Sequence, residues 1–264
     1  MKRRAMLFMM SQLMTLSTTR LIAQGTPGTN VDVDVTVVSA QVTGGRVLLS
    51  YVVRNRPSSA ERLFELTIPV PQGVQSVSAD APQDSWLTMS RYRGRPVAQW
   101  GALGDQMQPG DSSPMLSYTA FGVLGITPAW VRGYVTPTPL PPEDTTNRVF
   151  HPEPDPVFGQ GKEISLVGIV PAPNGGSAGA IELLSEQVSY ACGGAGWIAP
   201  VGICNSLSAK LSAASASLAR NDPQSARGSL AALIDELDAQ RGKHIAENAY
   251  WLLKTNSTYA MAHL

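Results

Sequence analysis

The chain has 264 residues, of which 43% are hydrophobic and 15% are charged, and it contains 24 Gly and 20 Pro. This length suffices for one large or two modest domains, and the glycine and proline content favours a turn-rich protein that contains β-structure. The formal net charge is zero, which argues against a protein that binds nucleic acid or anionic lipid through an excess of positive charge.

The N-terminus is typical of an export signal. Three basic residues (2–4) precede an apolar stretch (5–16) that is too short to span a bilayer. We expect residues 1–23 to be a signal peptide; a membrane anchor that is never cleaved is the alternative. Cleavage removes four basic side chains and leaves 16 basic and 20 acidic ones, a net charge of −4. A secreted or periplasmic protein with no remaining membrane span is therefore expected.

Residues 24–136 are predicted to form an antiparallel β-sandwich. The segment 31–37 alternates apolar and polar residues, and Gly44-Gly45 separates it from a second strand at 46–53. Glycine adopts the positive φ that tight hairpin turns require, so these two strands form a hairpin. Many further short strands suggest two packed sheets, and they are predicted at 64–70, 74–79, 86–92, 96–102, 115–122 and 129–135.

The stretch 107–130, MQPGDSSPMLSYTAFGVLGITPAW, resembles the late strands of immunoglobulin-like (Ig-like) sandwiches in exported bacterial proteins. In those proteins a Pro-Gly-x-Ser turn precedes a strand, as Pro109 to Ser112 does here. The resemblance implies an Ig-like fold and carries no implication about function.

Aromatic and arginine side chains are the candidate ligand-binding residues of this half. Aromatic rings can stack on a sugar, and guanidinium groups bind anions. The alternatives are that the arginines merely point outward from a hairpin that turns at Gly94, and that the tryptophans lie in the core. The candidates are Trp86, Arg91, Tyr92, Arg93, Trp100 and Trp130.

The sequence predicts no metal site, no cofactor and no catalytic residue. Asp32 and Asp34 share one face of a strand, which would suit calcium, but the solvent face of a strand is the commoner location for such residues. His151 has carboxylates nearby in sequence, Glu143-Asp144 and Glu153-Asp155. That segment is a poor place for the perturbed pKa values that catalysis needs.

Residues 137–176 are predicted to be a proline-rich connector. Nine of the 20 prolines fall between 137 and 173, a density that prevents helix and favours extended polyproline-II segments. The stretch 162–170, KEISLVGIV, is either a last strand or a piece laid along the sandwich.

Residues 177–264 are predicted to form a small antiparallel bundle of four helices, because apolar residues now recur every three or four positions. Asn205-Ser206 is the expected cap of the second helix, and Asp222-Pro223 is a strong start signal for the third. Gly242 is placed to end the third helix, and the fourth begins near Ala246.

Cys192 and Cys204 are the two cysteines of the chain. In an oxidising compartment an isolated pair is most simply a disulfide, which here would join the end of the first helix to the start of the second. A reactive or metal-bound pair is the alternative.

The C-terminal segments GWIAPVGICNSLSAKLSAA and ARGSLAALIDELDAQRGKHIAENAYWLL resemble the FIMAH-type helical module of many secreted bacterial proteins. Leu233 stands where that module usually has phenylalanine. The resemblance implies a non-catalytic appendage with a glycan-binding role, although residues 177–264 hold six basic and seven acidic side chains. The matching positions are Leu207, Lys210, Leu211, Ala226, Leu230, Ile234, Ala239, Gln240, Gly242 and Lys243.

The fold class predicted is thus β + α multidomain, an antiparallel Ig-like sandwich followed by a small antiparallel helical bundle. The predicted function is an exported, non-enzymatic interaction or scaffolding protein of the cell envelope or extracellular space, with polysaccharide or an envelope protein as partner. A secreted hydrolase or its accessory subunit is the alternative. His244 and Glu247 supply two metal ligands where zinc needs three or four, so His244 is expected to lie in a turn between helices.

Overall fold

A computed structural model describes residues 28–74, 77–82, 86–92, 94–102, 107–134 and 161–264. The predicted signal peptide, Arg93, His151 with its neighbouring carboxylates, and residues 137–160 of the predicted connector lie outside these ranges. Within these ranges, nine strands are followed by four α-helices. The strands are β1 (Val33–Thr43), β2 (Arg46–Asn55), β3 (Leu63–Pro69), β4 (Ser78–Asp80), β5 (Trp86–Tyr92), β6 (Arg95–Ala102), β7 (Leu116–Phe121), β8 (Val123–Gly133) and β9 (Lys162–Val170).

The strands form two antiparallel sheets with an Ig-like order. The first sheet has the order β1-β2-β7-β4, and the second has the order β5-β6-β3-β8-β9. When the β5–β6 pair is set aside, the remaining seven strands match the A-B-E-D and C-F-G sheets of an Ig constant-type domain in chain order. The predicted Ig-like sandwich is confirmed by this topology, and the β5–β6 hairpin is an insertion between the fourth and fifth strands of the Ig order.

Three aromatic side chains from both sheets fill the centre of the sandwich. Trp100 stands edge-on to Tyr51 and to Tyr118, with ring centroids 6.3 and 6.1 Å apart. The Tyr51 hydroxyl donates to the Val167 carbonyl and the Tyr118 hydroxyl accepts from the Ile169 N–H, each at 2.6 Å. Burial raises the pKa of Tyr118 to about 12 and that of Tyr51 well above its usual value, so both hydroxyls keep their protons at neutral pH and tie the sheets together.

The strand β8 is longer than its sequence predicts. Only 129–135 was expected to be strand, because Gly122, Gly125 and Pro128 interrupt the apolar pattern, yet β8 begins at Val123. Gly122 has φ +150°, and a Cβ there would lie 2.2 Å from the Val170 carbonyl oxygen. Glycine is therefore needed where the chain passes directly from β7 in one sheet to β8 in the other.

The C-terminal region forms the predicted helices, which are α1 (Gly176–Ser189), α2 (Val201–Ala219), α3 (Pro223–Gln240) and α4 (Glu247–Ala262), with a π-helical turn after α1 at Tyr190–Gly194. Asp222 caps α3 as expected, because its side chain accepts a hydrogen bond from the Ser225 N–H at 3.0 Å. The predicted cap at Asn205-Ser206 is wrong. Helix α2 begins four residues earlier, and the Ser206 hydroxyl instead donates to Glu236 of α3 at 2.8 Å.

The predicted disulfide between Cys192 and Cys204 is confirmed. It closes a loop whose residue Trp197 packs against the cores of both the sandwich and the helices. The loop is also tied to the start of α4, because the Trp197 carbonyl accepts from the Ala246 N–H and the His244 carbonyl accepts from the Ala199 N–H. The disulfide thus holds together three segments that meet at one end of the bundle.

Helix α4 joins the helical part to the sandwich through two asparagines. Asn248 reaches the outer edge of β1, where its carboxamide accepts from the Val37 N–H at 2.7 Å and donates to the Val35 carbonyl at 3.0 Å. Eight residues further along α4, Asn256 accepts from the Leu124 N–H at 3.0 Å and donates to the Leu124 carbonyl at 2.7 Å. Each carboxamide makes the hydrogen bonds that a neighbouring strand would make, so α4 covers strand edges that would otherwise be unsatisfied.

The sandwich and the helices also share apolar contacts. Leu252, midway between the two asparagines, is fully buried in the core of the sandwich. Trp251 and Trp197 contact both cores. In this chain the helical part is therefore packed onto the Ig-like sandwich along α4 from Asn248 to Asn256.

Candidate functional site

The predicted ligand-binding tryptophans do not form one platform. Trp100 is 0% exposed and its indole N–H donates to the Asp80 carbonyl at 3.0 Å, so the prediction that it binds a ligand is wrong. The error arises because Trp100 follows an exposed arginine-rich turn, while strand alternation carries its side chain inward against Tyr51.

Trp86 and Trp130 are half-buried and lie on different parts of the second sheet. Trp86, at the start of β5, packs against the sandwich core. Trp130 on β8 lies opposite Thr67 of β3 and Glu163 of β9, with β3 and β6 between it and the β5 strand. The two rings are consequently not presented to a ligand together.

The inserted hairpin brings the remaining candidates together at its tip. Tyr92 lies directly opposite Arg95, and Arg91 lies opposite Pro96. The turn contains Gly94 with φ +80°, a conformation that favours glycine. Arg91 and Arg95 are exposed and Tyr92 is half-buried, so an aromatic ring and two guanidinium groups lie together at one end of the hairpin.

The hairpin is tied to β4 through residues of both of its strands. Ser90 accepts a hydrogen bond from the Ala79 N–H of β4 at 3.0 Å, and the buried Trp100 anchors β6. The strand β5 forms the edge of the second sheet, and Leu87 on it is 49% exposed. The exposed Arg91 therefore directly follows a residue that is held by β4, and such support favours a binding role.

The electrostatics of the hairpin differ from those of the rest of the chain. Residues 86–102 contain three arginines and no carboxylate, whereas the chain without residues 1–23 has a net charge of −4. Within the described ranges the Arg91 guanidinium makes neither a hydrogen bond nor an ion pair. This concentration of positive charge on one inserted element suits a ligand that carries negative charge or many hydroxyl groups.

Comparisons with known proteins add little to this picture. No family model and no curated protein matches the chain. One similar solved structure is that of an uncharacterized protein from Nocardia farcinica described as having an immunoglobulin-like fold; the match has 17% sequence identity and a TM-score of 0.31 and covers 52% of this chain and 97% of that one. At that TM-score the similarity carries no argument, and the fold assignment rests on strand order.

Asp32 and Asp34, which sequence alone allows as calcium ligands, are engaged by Arg56. Its guanidinium lies 3.3 Å from the Asp32 carboxylate and also pairs with Asp34. The hydrogen bond from Arg56 lowers the pKa of Asp34. Burial by itself would raise the pKa of Asp32, but the Ser58 hydroxyl and the positive charges of Arg56 and Lys162 outweigh it and the pKa falls. Among the described residues no group of three or more His, Cys, Asp or Glu is placed to hold a metal ion.

The segment around His244 forms the joint between α3 and α4. Gly242 has φ +69°, and the N–H groups of Lys243 and His244 both donate to the Gln240 carbonyl. The Glu247 carboxylate accepts two hydrogen bonds from Arg241, at 2.9 and 2.7 Å. It is therefore paired with Arg241 and not with the exposed His244 side chain. His244 therefore lies in an inter-helix turn, as expected.

The other cations of this joint have partners as well. Lys254 lies 2.7 Å from Asp238, and Lys243 donates to the Ala239 carbonyl at the end of α3. The Arg241 guanidinium lies over the Tyr250 ring at 4.1 Å. Arg241 and Lys254 at this joint are thus each paired with a carboxylate.

Arg95 is a member of the site that sequence reasoning omitted. The signal was present, because Arg95 lies two residues beyond Arg93 in the same turn. What the sequence does not show is the register, which places Arg95 opposite Tyr92 across the hairpin.

Proposed function

We propose that this chain is an exported, non-enzymatic interaction or scaffolding protein of the cell envelope or extracellular space, and that it binds polysaccharide through the β5–β6 hairpin. The observation that carries the proposal is the composition of that hairpin. It is an insertion in an Ig-like sandwich, and it presents Arg91, Arg95 and Tyr92 with no carboxylate among them.

The chemistry of these groups suits a sugar polymer. An aromatic ring offers an apolar surface to the C–H face of a sugar, while guanidinium groups hydrogen-bond to hydroxyls and pair with carboxylates. A hairpin on the protein surface can contact a polysaccharide that passes across it, and it does not need to enclose the polysaccharide. We therefore expect polymers that contain uronic acid to bind more tightly than neutral polymers.

Export is supported by the disulfide, because such bonds persist in oxidising compartments. Among the described residues no helix is long and apolar enough to cross a membrane.

The relationship of the helical part to the FIMAH-type module belongs to the same proposal. It is supported by the structural roles of the matching residues. Leu207, Leu211 and Leu230 are buried in the helical core, Lys210 pairs with Glu236 at 2.7 Å, and Gly242 adopts the positive φ of the turn that follows α3.

The test is binding of the mature chain to a panel of neutral and uronate-containing polysaccharides, measured by affinity electrophoresis and calorimetry. The variant Arg91→Ala/Arg95→Ala should weaken uronate binding by about tenfold or more, since a hydrogen bond to a charged group contributes roughly 1.5–3 kcal/mol. The matched control is Arg62→Ala/Arg227→Ala, which removes two exposed arginines from other surfaces and should leave binding unchanged.

Three outcomes would contradict the proposal in different ways. Equal losses in the two double variants would show that the hairpin is not the binding element. An affinity that changes neither with salt concentration nor with the charge of the polysaccharide would exclude the arginines as ligand contacts. If no polysaccharide binds, the partner class is wrong and an envelope protein becomes the leading candidate.

A further inference from the structure

The strand β5 is an edge of the second sheet, and in the described part of the chain its outer side has no partner. In the sheet order β5-β6-β3-β8-β9 it pairs with β6 alone. Alternate residues of an edge strand direct their N–H and C=O groups away from the neighbouring strand. Within the described ranges, the main chain of residues 86–91 makes no hydrogen bond to any segment other than β6. These outward groups are therefore open to another strand.

The other three edge strands differ from β5, because side chains hydrogen-bond to main-chain groups on their outer sides. Asn248 of α4 does so on β1. On β4 the Ala79 N–H donates to the Ser90 hydroxyl, and on β9 two buried tyrosine hydroxyls bond to the main chain. Among the described residues, β5 is thus the edge strand to which no side chain is bonded in this way.

The side chains of β5 determine what a neighbouring strand would contact. Ser90 points to β4 of the first sheet, so Leu87, Met89 and Arg91 share the opposite, outer face, because residues two apart on a strand lie on one face. The register shift adds its extra residue to β6, so the alternation of β5 continues through Ser90. Leu87 is 49% exposed, Met89 is half-buried and Arg91 is exposed. A strand added beside β5 would therefore meet two apolar side chains and one guanidinium.

The charge of the hairpin selects the kind of strand that fits. Residues 86–102 contain three arginines and no carboxylate, and Arg91 has no ion pair within the described ranges. If a second copy of this chain paired through the same edge, neither strand would offer a carboxylate to the arginine of the other. A strand of another protein with an acidic residue opposite Arg91 gains a cross-strand ion pair.

We propose that β5 binds an extended segment of a partner protein as an added strand, with an acidic residue opposite Arg91 and apolar residues opposite Met89 and Leu87. The added strand runs antiparallel to β5, as every pair within this sheet does. In this mode of recognition the main-chain hydrogen bonds provide affinity and alternate side chains provide specificity. The inference does not rest on polysaccharide binding, because it uses the main-chain edge of β5 and its outer face.

The test is a titration of the ¹⁵N-labelled mature protein, followed by NMR, with the peptide acetyl-Glu-Thr-Val-Thr-Val-Thr-amide. Antiparallel to β5, this peptide places its glutamate opposite Arg91 and its valines opposite Met89 and Leu87. We expect saturable shifts of the amides of residues 86–91 and slower hydrogen exchange at alternate ones. The same peptide with lysine in place of glutamate should bind about fivefold more weakly, because opposite charges stabilise a cross-strand pair and like charges destabilise it.

N-methylation of the peptide distinguishes main-chain pairing from side-chain contact. One version is methylated at its odd-numbered amide nitrogens and the other at its even-numbered ones. Only one of these sets faces β5 in an antiparallel pair. One version should therefore bind at least tenfold more weakly than the unmodified peptide, and the other should keep most of the affinity.

Variants of the protein locate the side-chain contacts. Arg91→Glu should reverse the preference, so that the lysine peptide binds more tightly than the glutamate peptide. Leu87→Thr should weaken the binding of both peptides, since it removes apolar surface. Arg95→Ala is the matched control, because Arg95 belongs to β6 and not to the edge strand, and it should bind the peptides as the wild type does. Because Leu87 and Arg91 are exposed, their replacement should not prevent folding, which the unchanged remainder of the spectrum would verify.

Several results would overturn the inference. These are the absence of saturable shifts in residues 86–91, equal affinity of the two methylated versions, and an unchanged preference in Arg91→Glu. Self-association of the free protein through β5, detected by sedimentation and by slower exchange at 86–91 with rising concentration, would show that the occupant is a second copy. Peptide binding without polysaccharide binding would contradict only the proposed function, and the reverse result would contradict only this inference.

Discussion

At the scale of single residues, charged side chains that contact a carboxylate have a structural role, and they differ from the charged side chains of the candidate site. Arg56, Arg241 and Lys254 each contact a carboxylate, and these pairs hold strands or helices together. Arg91 is exposed and has no such partner among the described residues. A composition count treats all four as equivalent, and only the fold shows that Arg91 is not engaged by a carboxylate.

The Asp238–Lys254 pair makes a pH-dependent contribution to stability. The hydrogen bond from Lys254 lowers the pKa of Asp238, and the same bond raises the pKa of Lys254. The stabilisation from Asp238 is present above its unfolded pKa of about 4 and is lost as pH falls through the folded value. That from Lys254 is present below its unfolded pKa of about 10 and is lost as pH rises through the folded value.

We therefore expect Asp238→Asn to lower the free energy of unfolding by about 0.2–1 kcal/mol at neutral pH, the range for a solvent-exposed pair. The difference from wild type should shrink as the pH falls below about 4 and vanish once the pH is below the folded pKa of Asp238. Urea unfolding across a series of acidic pH values measures it. Asp235→Asn, an exposed residue of the same helix, is the control, and an effect of equal size there would show that net charge rather than the pair is responsible.

At the scale of elements, local signals predict boundaries well where the deciding contacts are near in sequence. Gly44-Gly45 and Asp222-Pro223 determine their own turn and helix start, and the structure agrees at both. The sequence does not predict the first half of β8, because its glycines and proline disfavour a strand locally. That segment is nevertheless a strand because it pairs with β9. Helix α2 starts earlier than its supposed cap because Ser206 is used across the α2–α3 contact.

The disulfide should stabilise the contact between the helices and the sandwich as well as the bundle. The cysteines are 12 residues apart, and closing a loop of about that size contributes roughly 3 kcal/mol in the chain-entropy estimate. Cys192→Ala/Cys204→Ala should lower Tm, and it should increase amide hydrogen exchange at 195–200 and at 244–248, where the loop contacts the start of α4.

Exchange in the β2–β7 pair of the first sheet serves as the internal reference. Addition of a reductant should reproduce the effect in the wild type and leave the double variant unchanged. Uniformly increased exchange across both sheets would contradict a local role, and an unchanged Tm would show that the disulfide contributes nothing measurable.

At the scale of the whole molecule, the relation between sandwich and helices was beyond sequence reasoning. Asn248 and Asn256 lie on a helix and bond to strands 211 and 132 residues away. Asparagine in a helix has no periodic signal that indicates such a partner. Two predicted segments separated by a proline-rich stretch suggest separate bodies, whereas the structure joins them through hydrogen bonds and through Leu252 in the sandwich core.

We expect the sandwich and the helices to unfold together for that reason. Near-ultraviolet circular dichroism, which reports the packed aromatic rings of the sandwich and of the helices, and the far-ultraviolet helical signal should give coincident transitions, the mark of two-state unfolding. Asn248→Ala/Asn256→Ala should separate them. It leaves the buried Leu124 N–H without a partner, a loss of about 1–3 kcal/mol, and the helical signal should then be lost at lower denaturant. Asn205→Ala, an exposed position of α2, should keep a single transition; two transitions in the wild type would show that the interface through α4 does not couple the parts.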